Sequence, residues 1–547
     1  MKLNADRETL FTLIGLGPLW VLLIIFLSQS ALLATSLDIH SIATFIAFLS
    51  VGFLPRVLFH KRDAKLSLFT IATSAFLIGI CLVISGLIFD TSFDGQTYHQ
   101  RAIDYIRNGW NFFHLAQSPL PPNLKVEYAV PLVHYPKFPW LVEATLYKLT
   151  GNIEQSKALN LVFLVCSAFL AFVTGRAFQV SSITAVVLAA ALSLNPVAVC
   201  QLWTFYVDGL LASLILVLVC SIGMYFSSKK IYWAHVAGIS LLILLQIKFT
   251  SVVIVGSTLV TAFLYAVVKK HDETRRLAQF LFSYSIFGFV VVGWNPYMTN
   301  LLKTGNPIYP VAGYSPIGKT PPPNDWPAFP IVQGQQPESL KDQIGPAKMF
   351  LSFYSRTIDP INSGSVFEPF WKGSFSDYQR FVSPDLRLGA FGPLFPVCIF
   401  ISIFGLVLKR KSLVSSSVLV VGVTLVLSTA INPESWWARY VPQLWLFPII
   451  IIYATRFYSL RNIAWILLAF NSVVILAVNT RASFLNSEDL RSALFNVSKA
   501  NEKQLPGSIG DYYATDLRLR DLGITVAPES CENRTNFAGS NSFVCLK

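Results

Sequence analysis

"LSLFTIATSAFLIGICLVISGLIFDTSFDG", residues 66–95, decides what kind of protein this chain makes. No charge interrupts it over 66–89. At about 1.5 Å per residue, such a run crosses the ~30 Å hydrocarbon core of a bilayer as a helix. Two aspartates, Asp90 and Asp94, then stand at its end, and neither has a basic neighbour in sequence. A carboxylate at that depth is costly, and at a helix C-terminus it opposes the macrodipole. The pair therefore needs a use. It either caps a solvated helix end or supplies a base or a metal ligand in a partly dry cleft.

The rest of the chain belongs to the same class. Of its 547 residues 54% are hydrophobic and 13% are charged, where a soluble domain carries about 25% charged residues. Uncharged runs predict spans at 10–34, 40–59, 66–89, 157–178, 182–203, 205–226, 231–248, 250–268, 277–294, 389–408, 412–431, 441–456 and 462–480. That is an all-α polytopic membrane protein with about thirteen crossings. The first run is too long for a signal-peptide core and reads as a retained span. The net charge of +13 lies mostly in short loops. It points to anionic lipid headgroups and away from nucleic acid.

Alternating the spans puts the basic clusters on one side. These are Arg56, Lys61, Arg62 and Lys65; Arg176; Lys229 and Lys230; Lys269, Lys270, Arg275 and Arg276; Lys409, Arg410 and Lys411; and Arg456 and Arg461. That side, with the N-terminus, is cytoplasmic by the positive-inside rule. The opposite face receives loop 90–156, loop 295–388, the tail 481–547 and the turns at 201–205, 248–250 and 432–439. The expected organisation is a two-span addition (1–65), a transmembrane module (66–294) carrying the first outer loop, a large outer loop (295–388), further spans (389–480) and a small extracytoplasmic tail (481–547). Cys81, Cys166, Cys200, Cys220 and Cys398 read as small buried hydrophobes. Cys531 and Cys545 fall in the tail, in an oxidising compartment where they could pair. No Cys/His cluster suggests zinc. The spans lack the mid-membrane charge and internal repeats of a transporter.

Polar groups gather instead at the outer ends. After Asp94, Ala102, Ile103, Ile106, Trp110 and Phe113 fall on one helical face and Gln100, Arg101, Asp104, Arg107 and Asn111 on the other. This predicts an amphipathic helix lying in the membrane interface, with Trp110 at headgroup depth. A second such helix follows Pro136 and Pro139 in "VHYPKFPWLVEATLYKLTGN". Asp208 starts the sixth span in "LWTFYVDGLL", and Lys248 is the one charge in the turn "LLQIKFTS". Arg387 in "SPDLRLGAFGPLFP" and Arg439 in "NPESWWARYVPQLW" precede outer span entries, where each could clamp a phosphate or pair with Asp385 or Glu434. Tyr98, His99, His134, Tyr135, Lys137 and Tyr309 are candidates for substrate contact, and Trp326 and Phe329 could anchor to membrane or stack on sugar. A divalent metal is possible, with no fixed set of ligands in the sequence.

"FDGQTYHQRAIDYIRNG" resembles the acidic motif, tyrosine and helix of the GT-C superfamily of membrane glycosyltransferases, and "HYPKFPWLVEATLYKLTGN" resembles its second interfacial helix. "TGNPIYP" and "DLRLGAFGPLF" are similar to segments of bacterial members, so the resemblance covers roughly 66–445. It implies a polyprenyl-phosphate-linked sugar as donor, a glycan, lipid or protein as acceptor, and a site on the extracytoplasmic face of the bacterial plasma membrane. Asp94 matches the base that activates the acceptor. Gly95 stands where the family often has a second acid, which leaves Asp90 or Asp208 to supply one. Lys248 with Arg387 or Arg439 would hold the donor phosphate. A ligase or polymerase using diphosphate-linked glycans, a lipid or polysaccharide transporter, and a non-catalytic scaffold are the rival readings.

Overall fold

The computed structural model describes residues 5–122, 124–269, 271–311, 340, 342–356, 368–408, 416–448, 450, 458–499, 503–529 and 534–545. The protein is 72% helix with little strand. Among the described residues eight helices are long and apolar enough to cross a membrane: Arg7–Ala34, Ile42–Phe59, Ala64–Gly86, Ile153–Ala177, Asp208–Ser228, Ser251–Lys269, Asp272–Val292 and Asn462–Ser498. Ser182–Ser193, Ile231–Ile247, Phe395–Gly405 and Val420–Ala430 are apolar but shorter.

Among the described residues the count of thirteen spans is not confirmed, and three of the expected runs depart from a single long helix for local reasons. The run at 182–203 breaks where Pro196 bars its predecessor from helical backbone. Asn195 caps the next short helix, its Oδ1 accepting from the Val197 amide at 3.0 Å. The run at 389–408 starts late because Gly389 and Gly392 hold positive φ, and helix resumes only at Phe395. The run at 441–456 opens as tight turns over Ala438–Tyr440 and Pro442–Leu446, and most of its remainder lies outside the described residues.

The first outer loop departs from the interfacial picture. The Phe138–Thr150 helix is buried on every side from Phe138 to Tyr147. Gln100–Arg107 does bury Ala102, Ile103 and Ile106, yet Gln100, Arg101 and Asp104 are buried too, and so is Trp110. The polar face is covered by the tail. Tyr513 Oη donates to Asp104 Oδ2 at 2.6 Å, and the Arg101 guanidinium lies 4.9 Å from the ring centroids of both Tyr128 and Tyr513.

The tail begins as a continuation of the last span, since one helix runs unbroken over Tyr458–Ser498. Four short strands follow: β1 (Gln504–Ser508), β2 (Thr525–Pro528), β3 (Arg534–Asn536) and β4 (Phe543–Cys545). They form a sheet ordered β2-β1-β4-β3, in which the one parallel pair, β1 with β2, is joined through the Tyr513–Asp521 helix. Leu505, Leu519, Ile524, Phe537 and Val544 pack on Leu490, Ala493 and Val497 of the long helix as a small separate core. Cys545 is disulfide-bonded and the five cysteines of the apolar runs are free and buried; Cys531 lies outside the described residues.

Candidate active site

Asp90 and Asp94, four residues apart, do different things. Asp90 is fully buried, its Oδ1 accepting from the Ser92 amide at 2.7 Å and its Oδ2 from the Phe205 amide at 2.8 Å. Its own amide donates to Glu154 Oε2 at 3.0 Å, and Lys157 closes on the same oxygen at 2.6 Å. Burial, with the Glu154 charge behind it, pushes the Asp90 carboxyl up to about 6. It faces no cavity. Its work is to tie the segment before Asp94 to the loop at 205 across the fold.

That placement also explains Gly95. A Cβ there would lie 1.9 Å from Asp90 Oδ2 and 2.6 Å from Ser92 Oγ, so position 95 cannot carry a second acid while Asp90 holds its place. The chain then takes one wide π-type turn over Gly95–His99, a geometry that recurs at functional sites. This turn leaves Asp94, Tyr98 and His99 on one wall of a cleft.

The opposite wall is the loop before Asp208. Asn160 organises it, its Nδ2 donating to the carbonyls of Gln201, Thr204 and Tyr206 at 3.1, 2.9 and 3.0 Å. Gln201 then holds the helix start. Its Nε2 reaches Asp208 Oδ2 at 3.1 Å and its Oε1 accepts from the Gly209 amide at 2.8 Å. Lys248, at the end of the Ile231–Ile247 helix, pairs with Asp208 Oδ1 at 2.5 Å and lies 4.3 Å from the Tyr440 ring centroid.

Two distant segments supply the remaining charges. Two backbone bonds, Ala438 N to Arg387 O at 3.3 Å and Arg439 N to Leu386 O at 3.2 Å, lay 385–387 beside 437–440. Asp385 sits between the two arginines, pairing with Arg387 at 3.0 Å and Arg439 at 3.3 Å, and accepts from Trp437 Nε1 at 3.0 Å. Arg439 Nη1 also reaches Asp94 Oδ2 at 3.4 Å. Its guanidinium stands about 5 Å from the rings of Tyr206, Trp437 and Tyr440.

Together with the open solvent at its mouth, the cleft spans about 380 Å³. Asp94, Tyr98, His99, Tyr135, Trp140, Tyr206, Asp208 and Lys248 line it, with Pro136, Pro139, Val207 and Ile247 as apolar walls. Asp94 keeps 20% of its side chain exposed. Burial raises its carboxyl above the ordinary range, and the Asp385 and Asp208 charges push the same way against Arg439 and Lys248. His99 is neutral, because burial, helped by the Lys248 charge, lowers it to about 3. Trp140 Nε1, a donor only, sits 2.7 Å from His99 Nδ1. The ring proton must therefore sit on Nε2.

Of the residues the sequence singled out, Asp94, Asp208, Lys248 and Arg439 meet, with Arg387 joined through Asp385. Tyr98, His99 and Tyr135 line the cleft. Asp90 does not, and three others are packed elsewhere. His134 Nδ1 bonds Asn300 Oδ1 at 2.7 Å and its ring meets Tyr309 edge-on. Tyr309 is buried there. Lys137 is buried between the Phe112 and Trp140 rings, with its ammonium on the carbonyls of Val133 and Tyr135. Trp326 and Phe329 lie outside the described residues. Sequence reasoning passed over Tyr206, Trp437, Tyr440 and Trp140. Aromatics set directly beside charges in "TFYVD" and "SWWARY" were the available signal.

A divalent cation does not suit this donor set. Among the described residues no three His, Cys, Asp or Glu side chains converge as a metal needs, and Asp94, Asp208 and Asp385 are each engaged by Lys or Arg. In comparison with known proteins, no family model matches the chain and no curated protein matches it.

Proposed function

We propose that the chain is an integral membrane glycosyltransferase that moves a sugar from a polyprenyl-phosphate donor to an acceptor hydroxyl on a glycan, lipid or protein. The observation that carries this is Asp94: a partly exposed carboxylate with a raised pKa, in an aromatic-lined cleft with Lys248 and Arg439 in reach, just beyond the end of the apolar Ala64–Gly86 helix. The donor's lipid tail stays in the bilayer while its sugar-phosphate emerges at that helix end. Asp94 takes the proton of the acceptor hydroxyl, whose oxygen attacks the anomeric carbon as the bond to the phosphate oxygen breaks. Lys248 and Arg439 hold the charge left on the phosphate, and Asp208 and Asp385 keep those cations aimed. Tyr98, Trp140 and Tyr206 offer ring faces to the sugar, and His99 offers a neutral N–H. The clustering of basic residues in the short loops supports an extracytoplasmic cleft and tail in this reading.

A second reading draws on one observation. Arg387 and Arg439, far apart in sequence, share Asp385, and a paired arginine site suits a diphosphate-linked donor and thus a glycan ligase or polymerase. One assay separates the two. Purified wild type and Asp94→Asn are given radiolabelled polyprenyl-phosphate and polyprenyl-diphosphate sugars with a crude envelope extract as acceptor, and sugar release is scored. Release from the monophosphate by wild type alone supports the transferase with Asp94 as base. Release only from the diphosphate selects the second reading, and release from neither donor defeats both.

A further inference from the structure

We propose that the C-terminal unit is a positioning element of the cleft, acting through Arg518. The observation is a set of contacts that end on the segment carrying Asp94 and on Glu154, which holds the Asp90 amide. Arg518 is 5% exposed and lies on the Tyr513–Asp521 helix. One terminal nitrogen donates to Asp90 O at 2.8 Å and to Glu154 Oε1 at 2.5 Å, and the other donates to Gln96 Oε1 at 3.2 Å. Gln96 Nε2 in turn donates to Gly539 O at 2.8 Å. Gly539 takes φ of +73° against Thr91, where a Cβ would lie 2.3 Å from Thr91 O. The Tyr512 ring meets Phe93 edge-on at 6.0 Å.

Residues 90, 91, 93 and 96 thus all bear on the tail, and Asp94 sits among them with its own side chain turned to the cleft. Glu154 collects Lys157, the Asp90 amide and Arg518, so its buried charge is met from three directions, one of them supplied by the tail. Through Asp90 the same set reaches the Phe205 amide, one residue before Tyr206 and three before Asp208. The tail therefore fixes the spacing of the two walls, and with it the aim of Asp94, without touching the space between them. Arg518 is a positioning residue, and its catalytic consequence rests on the glycosyl-transfer reading above.

Hydrogen exchange on the full-length protein in detergent tests the brace without relying on that reading. In wild type under graded urea, amides over 91–97 are expected to open with those of 513–519. Protection at 91–97 that outlasts exchange of the tail helix would overturn the proposal. In Arg518→Met, exchange at 91–97 should speed up about tenfold or more, the factor that one lost charge-assisted hydrogen bond corresponds to. Arg518→Lys, which keeps a cation for Glu154, should recover part of it. If Arg518→Met does not fold, Gln96→Met cuts the same link outside the buried ion set, and unchanged exchange there counts against the brace. In the sugar-release assay, kcat per folded molecule should fall about 100-fold, as for a small misplacement of a reacting group. KM should stay near wild type, and Arg518→Lys should again recover part. An unchanged kcat alongside faster exchange overturns the positioning role. If wild type releases no sugar from any donor, the glycosyl reading has failed and the exchange results still decide the brace.

Discussion

Asp90 and Asp94 sit on one short stretch and end in opposite environments. Asp90 is answered by backbone amides from two segments and is sealed from solvent. Among the described residues Asp94's ion pair is one long 3.4 Å contact with an arginine it shares with Asp385, with the Lys248 charge further off, and it lines the cleft. A carboxylate satisfied by backbone fixes a fold, because the amides cannot move away. One balanced by a side chain that it shares with another carboxylate can give up that partner to a substrate. The same residue type is thus a strut in one place and a reactive group in the other, and the surrounding donors decide which.

The comparison can be broken at either end. Under the transferase reading, Asp94→Asn should cost about 10²–10⁴-fold in kcat, the usual worth of a positioned base. Its melting temperature should stay near wild type, because no buried donor loses its acceptor. Asp90→Ala should do the reverse. With two buried amides left unmet, stability should fall by about 3 kcal/mol, read as a lower melting temperature in detergent. If Asp90→Ala melts like wild type and Asp94→Asn does not, the two roles are exchanged. Gly95→Ala should destabilise by about 1–3 kcal/mol through overpacking against Asp90, and the double variant Gly95→Ala with Asp90→Ala should recover part of that loss.

Acidity sharpens the contrast between Asp90 and His99. Folding raises Asp90 from 3.8 to about 6, so its contribution is fully present below 3.8 and is lost as pH rises through 6. Folding lowers His99 from 6.5 to about 3, so its contribution is present above 6.5 and is lost as pH falls toward 3. The two oppose each other between about pH 4 and 6, each by a few kcal/mol at about 1.4 per unit. Melting curves across that window should therefore be flatter in wild type than in either variant. Asp90→Asn should leave a fall toward acid, and His99→Gln a rise toward acid. The smallest effect concerns Trp140. Trp140→Phe should cost about 1 kcal/mol for one hydrogen bond, and should let nitrogen-resolved NMR of His99 show both tautomers where wild type shows the Nε2–H form alone.

Membrane class, helix content and the clustering of polar groups at the ends of apolar helices followed from the sequence, because long uncharged runs have few other places to go. Asp94, Asp208, Lys248 and Arg439 were legible as candidates for a related reason: an isolated charge at the end of an apolar helix needs a partner. Which charge met which partner was not legible. Asp94 and Arg439 are 345 positions apart, and only the packing of the helices sets their distance. His134, Lys137 and Tyr309 looked equally well placed, yet each found a partner within the protein. The sheet of the tail was hidden as well, since β1 contains Pro506 and Gly507 and its strands are too short for alternation to register. Sequence determines where polar groups must be answered. Tertiary structure alone decides what answers them, because buried donors and acceptors are matched by proximity in space and not along the chain.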